Sequence, residues 1–285
     1  MILAISIILL HVAAALILGW LYFRQYKMTR PPIGVFNLGD ITVMIGVVIL
    51  VPYLYLLLPL WIVASLVALA SISILYFAWE PVLRSVREIW LVTILLAGAD
   101  LITALAHRAN PVWFFAINNL VIVISVVGVT NLWAQSGMKA RDAAILGAAL
   151  AIYDLIATSL LPLTNDLFIR LAKLPFVPEL IWPINATGEW LRIGLGDLVL
   201  AAVFPLVMKK AFGRNAGLIA MMIGLGAIIL LILSLISGLL RGTFPVMVVL
   251  GPLMVIQYFY WQKRQNKERT TWQYLQAEPI PSPHK

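Results

Sequence analysis

Cysteine is absent from all 285 residues. That removes disulfides, thiolate metal sites and cysteine nucleophiles at once. Histidine is almost absent: His11, His107 and His284 lie far apart and form no HExxH-type pattern, which argues against a zinc site. Charge is scarce too. Only 11% of the chain is Asp, Glu, Lys or Arg, against about 25% in an ordinary soluble domain. Little is left for a soluble domain, and no metal or cofactor is expected.

What fills the chain is hydrocarbon. Hydrophobic residues make up 62% of it and the mean hydropathy is +1.00. Apolar runs of about 20 residues, each long enough to cross a bilayer, recur along nearly the whole length. The expected class is an all-α polytopic membrane protein with nine transmembrane helices at 3–23, 41–58, 60–79, 89–107, 112–134, 142–162, 192–212, 216–240 and 243–262. Together these form one membrane domain, 1–262. The second and third runs meet at a tight turn around Leu58-Pro59. Residues 1–23 lack a basic leading region and a small-residue cleavage site, and Arg24, Lys27 and Arg30 follow; they read as a retained first span.

Charge placement orients the bundle. Arg108, Arg170, Lys173, Arg192 and Arg241 fall on one side, and the other fifteen of the twenty Lys and Arg fall on the opposite one. By the positive-inside rule the N-terminus is outside or lumenal and the C-terminus cytoplasmic, in a plasma membrane if the source is prokaryotic. The net charge of +8 is thereby explained by topology, and nucleic acid is not an expected partner. Two connections stand apart. Residues 163–191, on the outer side, contain a partly amphipathic piece suited to the membrane surface. Residues 263–285 read as a short, basic, flexible cytoplasmic tail.

Of twelve acidic residues, only Asp100, Asp154 and Asp197 fall well inside an expected span. Carboxylates are costly in a bilayer core, and they usually face a bundle interior or a water-filled cavity. Asp154 lies about eight residues before Pro162 and Asp197 about five after Arg192. Consecutive antiparallel helices rising about 1.5 Å per residue would bring them within one to two turns in depth. Two carboxylates that meet cannot easily both ionise, so the pair shares a proton and can activate water. Gly194 and Gly196, which bracket Leu195, allow a backbone or an extended substrate to approach Asp197. Tyr153 offers a phenolic hydroxyl beside Asp154.

Tyr153-Asp154 in the sixth expected span and Gly194-Leu195-Gly196-Asp197 in the seventh resemble the paired signatures of the presenilin and signal peptide peptidase family, the GxGD intramembrane aspartyl proteases. The resemblance implies nine spans, catalytic Asp154 and Asp197, and transmembrane segments or signal peptides as substrates. The family's third signature, Pro-Ala-Leu at the start of the ninth span, is replaced here. Pro245-Val246-Met247 is the first substrate-positioning candidate and Gly251-Pro252-Leu253, deeper in the span, the second. The orientation and the short connection between the two aspartates are similar to a compact, prokaryote-like signal peptide peptidase.

Other readings stay open at this stage. Asp100, Asp154 and Asp197 would also serve a proton-coupled transporter or channel as a relay, and a catalytically dead relative would serve as a scaffold. Asp100, two turns before His107, reads as structural. Asn118, Asn119 and Asn131 read as bonds between helices, and His11 as a satisfied polar group. Asn185-Ala186-Thr187 matches a glycosylation pattern in the outer loop. Trp61, Trp113, Trp133, Trp190 and Trp261 suit interfacial anchors.

Overall fold

The computed structural model describes residues 2–28, 36–106, 111–161, 163–172, 174–184, 190–239, 245–265, 268–269 and 273–274. It is mostly helical: α1 (Ile2–Gln25), α2 (Leu38–Leu57), α3 (Leu60–Trp79), α4 (Val86–Leu105), α5 (Pro111–Gln135), α6 (Ala140–Leu155), α7 (Leu163–Leu171), α8 (Leu195–Phe212), α9 (Arg214–Ile236) and α10 (Met247–Gln265). A helix stands at the place of every expected span. Among the described residues, six of them are long and apolar enough to cross a membrane: Leu3–Gln25, Leu38–Leu57, Leu60–Trp79, Val86–Leu105, Pro111–Gln135 and Arg214–Ile236. The chain is a membrane-embedded helical protein.

Local sequence sets most of the helix starts. Asn37 and Asp40 form a reciprocal capping box on α2, and Ser85 and Glu88 do the same on α4. The α2–α3 turn falls at Leu58-Pro59, as expected. A helix that is apolar all round belongs in the interior, and α8 is that post: every residue from Leu198 to Met208 is buried. Helices α1 and α5 pack on it. By contrast α2 carries Val43, Val47, Ile49, Leu50 and Leu57 exposed, an apolar face suited to lipid.

The connection 163–194 adds a two-stranded hairpin, not expected from the sequence, to the otherwise all-α fold. After the short helix α7 the chain forms β1 (Glu179–Pro183), paired antiparallel with β2 (Trp190–Gly194) in the register Ile181↔Arg192. The helix at the seventh expected span, α8, therefore starts at Leu195, not at residue 192. A strand edge facing apolar surroundings needs every backbone group paired. On the α5 side, side chains supply those partners. Asn119 accepts from the Ile181 N–H at 3.0 Å and donates to the Ile181 carbonyl at 3.1 Å. Asn118 donates to the carbonyls of Val177 and Glu179. These two asparagines thus hold a strand, not the neighbouring helix that was expected; Asn131 does bond a helix, donating to the Gly19 carbonyl. Asp100 accepts from the Phe176 N–H at 2.7 Å, where the backbone turns through φ 56° into β1. His11 is satisfied by the carbonyl of Ile7.

The tail reading also changes. Tyr274 is fully buried and its hydroxyl accepts from the Ala140 N–H at the start of α6 and donates to Glu268. Glu268 in turn accepts from the Tyr258 hydroxyl on α10. Part of the tail therefore clasps the helical bundle instead of hanging free. His107, Arg108, Lys173, Asn185-Ala186-Thr187, Arg241 and His284 lie outside the described residues.

Helices α6 and α10 are joined through glycine. A Cβ on Gly251 would lie 2.4 Å from the Gly147 carbonyl oxygen and 2.8 Å from the Ala151 Cβ. A Cβ on Gly226 of α9 would meet nothing within 4 Å. Gly251→Val is therefore expected to lower the thermal midpoint of the purified protein by several degrees, an overpacking cost of about 1–3 kcal/mol. Gly226→Val should change it by far less, and equal effects in a melting series would remove the close-packing account.

Candidate active site

The site forms where helices begin or break. Asp154 is the next-to-last residue of α6, and the chain continues from it into a π-helical turn, Ile156–Leu160. Such widened turns loosen the backbone ladder and recur at functional sites. The Asp154 carboxylate accepts from the backbone N–H of Met247 at 3.4 Å. Met247 opens α10, so its N–H has no partner within its own helix and the helix dipole there favours a negative group. Asp197 lies in the first turn of α8. It is the third residue after Gly194, which caps the helix in extended conformation. Two helix N-termini thus converge on the two acids.

Both carboxylates line one cavity of about 510 Å³, enclosed by α2, α6, α7, β2, the start of α8, α9 and the start of α10. They are close enough to interact electrostatically. Of the residues expected to support them, Tyr153, Gly194 and Gly196 line the cavity. Leu195 does not; it packs against the main hydrophobic core. Gly194 lies beside the acid, since a Cβ there would sit in van der Waals contact, 3.4 Å from Asp197 Oδ2, whereas Gly196 borders open space. The Tyr153 hydroxyl makes no hydrogen bond among the described residues, so it does not clamp Asp154 directly.

The two candidates for the third motif stand differently toward the cavity. Pro245, Val246 and Met247 all line the cavity. Gly251-Pro252-Leu253 does not; Gly251 serves the contact with Gly147. Asp100 is absent from the cavity wall and buried against the β1 approach.

One residue of the site was read only as a topology signal. Arg192 on β2 is the one basic side chain lining this cavity among the described residues. Its guanidinium lies 3.8 Å from the buried carboxylate of Glu179 and 5.8 Å from the Phe168 ring centroid. A lone cation five residues before Asp197 was the available sequence signal. Among the described residues, no group of three or more His, Asp or Glu is arranged to hold a metal ion.

No protein-family model matches the chain, and no curated protein matches it.

Glu179 lies on a strand between the helices, outside the membrane-spanning segments. Burial pushes its pKa up to about 7, against the downward pull of Arg192. A carboxyl raised on folding stabilises the fold while protonated. That contribution is full below the ordinary glutamate range and is lost as pH rises through about 7. Thermal midpoints in detergent should therefore fall between pH 5 and pH 7.5, and Glu179→Gln should flatten that slope. An unchanged slope in the variant would assign the pH dependence to other groups.

Proposed function

We propose that the chain is an intramembrane aspartyl endopeptidase of the presenilin and signal peptide peptidase kind, crossing the membrane nine times with its N-terminus outside. The observation that carries this reading is the meeting of three separated sequence signatures at one cavity. Tyr153-Asp154, Gly194 to Asp197 and Pro245 to Met247 come from α6, the β2–α8 junction and the start of α10, and each contributes to the same wall. The nine-span count adds α6, α8 and α10 to the six strongly apolar helices. Of those three, α6 is 16 residues long before it continues into the π-helical turn, and α8 and α10 carry Lys209, Lys210, Lys263 and Arg264 in their last turns, where the positive-inside rule expects them.

The dyad works as a unit. With one proton shared, the ionised carboxylate takes a proton from water as the water oxygen attacks the scissile carbonyl carbon. The protonated partner gives its proton to the carbonyl oxygen. The tetrahedral intermediate then collapses, the C–N bond breaks, and the leaving nitrogen receives a proton. A new carboxyl and a new amine result. Asp154 and Asp197 take these roles jointly.

The hairpin gives the substrate a place to lie. One edge of β2 pairs with β1, and residues Trp190 to Gly194 also line the cavity. An extended, locally unwound transmembrane segment or signal peptide can add to the other edge by backbone pairing. It would then run into α8 and the dyad. A proton relay through Asp100, the transporter reading, finds no support in the geometry, because Asp100 is bound to the Phe176 N–H and stands off the cavity wall.

The test is cleavage of a model transmembrane peptide by the purified protein in detergent, with products read by mass spectrometry. Asp154→Asn and Asp197→Asn should each reduce cleavage by at least about a hundredfold while leaving the protein folded. Cleavage that survives either substitution would sink the dyad.

A further inference from the structure

Among the charged residues lining the cavity, Arg192 is the one that the hydrolytic chemistry does not use. It sits on β2, lines the cavity and keeps 20% of its side chain exposed there. A guanidinium carries five N–H donors in a planar fork. Among the described residues Arg192 makes one ion pair, at 3.8 Å to Glu179, and one contact with the Phe168 ring, but no hydrogen bond. The rest of the wall is mainly apolar, apart from the two aspartates and the hydroxyls of Tyr153 and Thr158. A cation with open donors in such a place holds a carboxylate better than any other group, because the pairing is bidentate and water is scarce.

Its position fixes where that carboxylate would be. Two strand residues and the first residues of α8 separate Arg192 from Asp197. A peptide extended along β2 advances about 3.3 Å per residue, so with its scissile bond at the dyad it presents a residue about two to four positions away to Arg192. We propose that Arg192 is a specificity-determining residue, which selects substrates bearing a carboxylate a few residues from the scissile bond. This rests on the protease reading above. The carboxylate is either an acidic side chain in the cleaved segment or the free C-terminus of a short peptide. Glu179 tunes the site, since its own charge competes for the same guanidinium.

Binding separates this inference from catalysis. The full chain carrying Asp154→Asn and Asp197→Asn is titrated in detergent with fluorescent apolar peptides that differ only in Glu or Gln at one position, and in a free or amidated C-terminus. With Arg192 present, a Glu peptide should bind about tenfold tighter than its Gln partner. A preference that follows the internal Glu identifies a side chain, and one that follows the free terminus identifies the chain end. Arg192→Gln should make the peptides equal. The paired variant Glu179→Gln/Arg192→Gln should do the same without leaving a buried charge unpaired, which guards against misfolding. Glu179→Gln alone should widen the preference. No preference with Arg192 present, or a preference that survives its removal, overturns the proposal. A preference in a protein whose wild type cleaves nothing would keep the carboxylate site and discard the protease.

Discussion

The approach of α6 and α10 through Gly147 and Gly251 is the constraint on which the site depends. In a bilayer the lipid tails are as apolar as leucine, so helices gain little from burying side chains against one another. They associate where backbones can come close. A carbonyl of one glycine stands where the Cβ of the other residue would have to be, and Ala151, one turn further along α6, continues the smooth seam. That seam runs toward Asp154. It places the first N–H of α10 on the Asp154 carboxylate, and with it the Pro245 to Met247 segment on the cavity wall. A bulkier seam would separate the acid from the one backbone donor that orients it.

The second constraint is the demand that no backbone group be left unpaired away from water. A hairpin inside a helical bundle would violate it unless its edges were covered. Asn118 and Asn119 cover one side of β1 with amides that imitate a neighbouring strand, and Asp100 secures the turn that leads in. Pairing with β2 covers the other side of β1. What remains is the β2 edge, and it faces a cavity instead of lipid. Three buried polar residues on two helices thus satisfy β1 and its approach, while β2 lines the cavity. The π-helical turn after Asp154 is a matching device on the opposite wall, relaxing the helix just where the acid must face inward.

Long apolar runs made the helices legible, since nothing else in a sequence produces twenty consecutive residues without a charge. Asp154 and Asp197 line the same cavity, and their depth could be read from sequence because both lie close to the ends of neighbouring helices, where an error of a few residues changes little. The hairpin was not legible. Its strands are five residues each, and the sequences Glu179–Pro183 and Trp190–Gly194 mix charge, aromatic and aliphatic side chains without clean alternation. Its stability comes from Asn118 and Asn119, some sixty residues upstream. Those asparagines were read as helix-to-helix bonds because sequence shows a donor but not its partner. Tyr274 escaped for the same reason: a tyrosine in a polar, proline-rich tail gives no sign that Ala140 and Glu268 await it.

The residues that sequence reasoning passed over share a trait: each is polar and answers to something distant. Arg192 shows why this matters for function. In the sequence it counts only as a loop charge; placed on β2, it meets Glu179 and the cavity. A cation beside two acids would ordinarily pair with them and quench the dyad. Here a third carboxylate, Glu179, is buried behind the strand and takes up part of the guanidinium's charge. Neither Asp154 nor Asp197 forms an ion pair with Arg192 among the described residues, and the arginine is left with donors to spare. Under the proposed protease reading, one small cavity would then hold both an acid pair for hydrolysis and, one strand's thickness from Glu179, a cation for recognition.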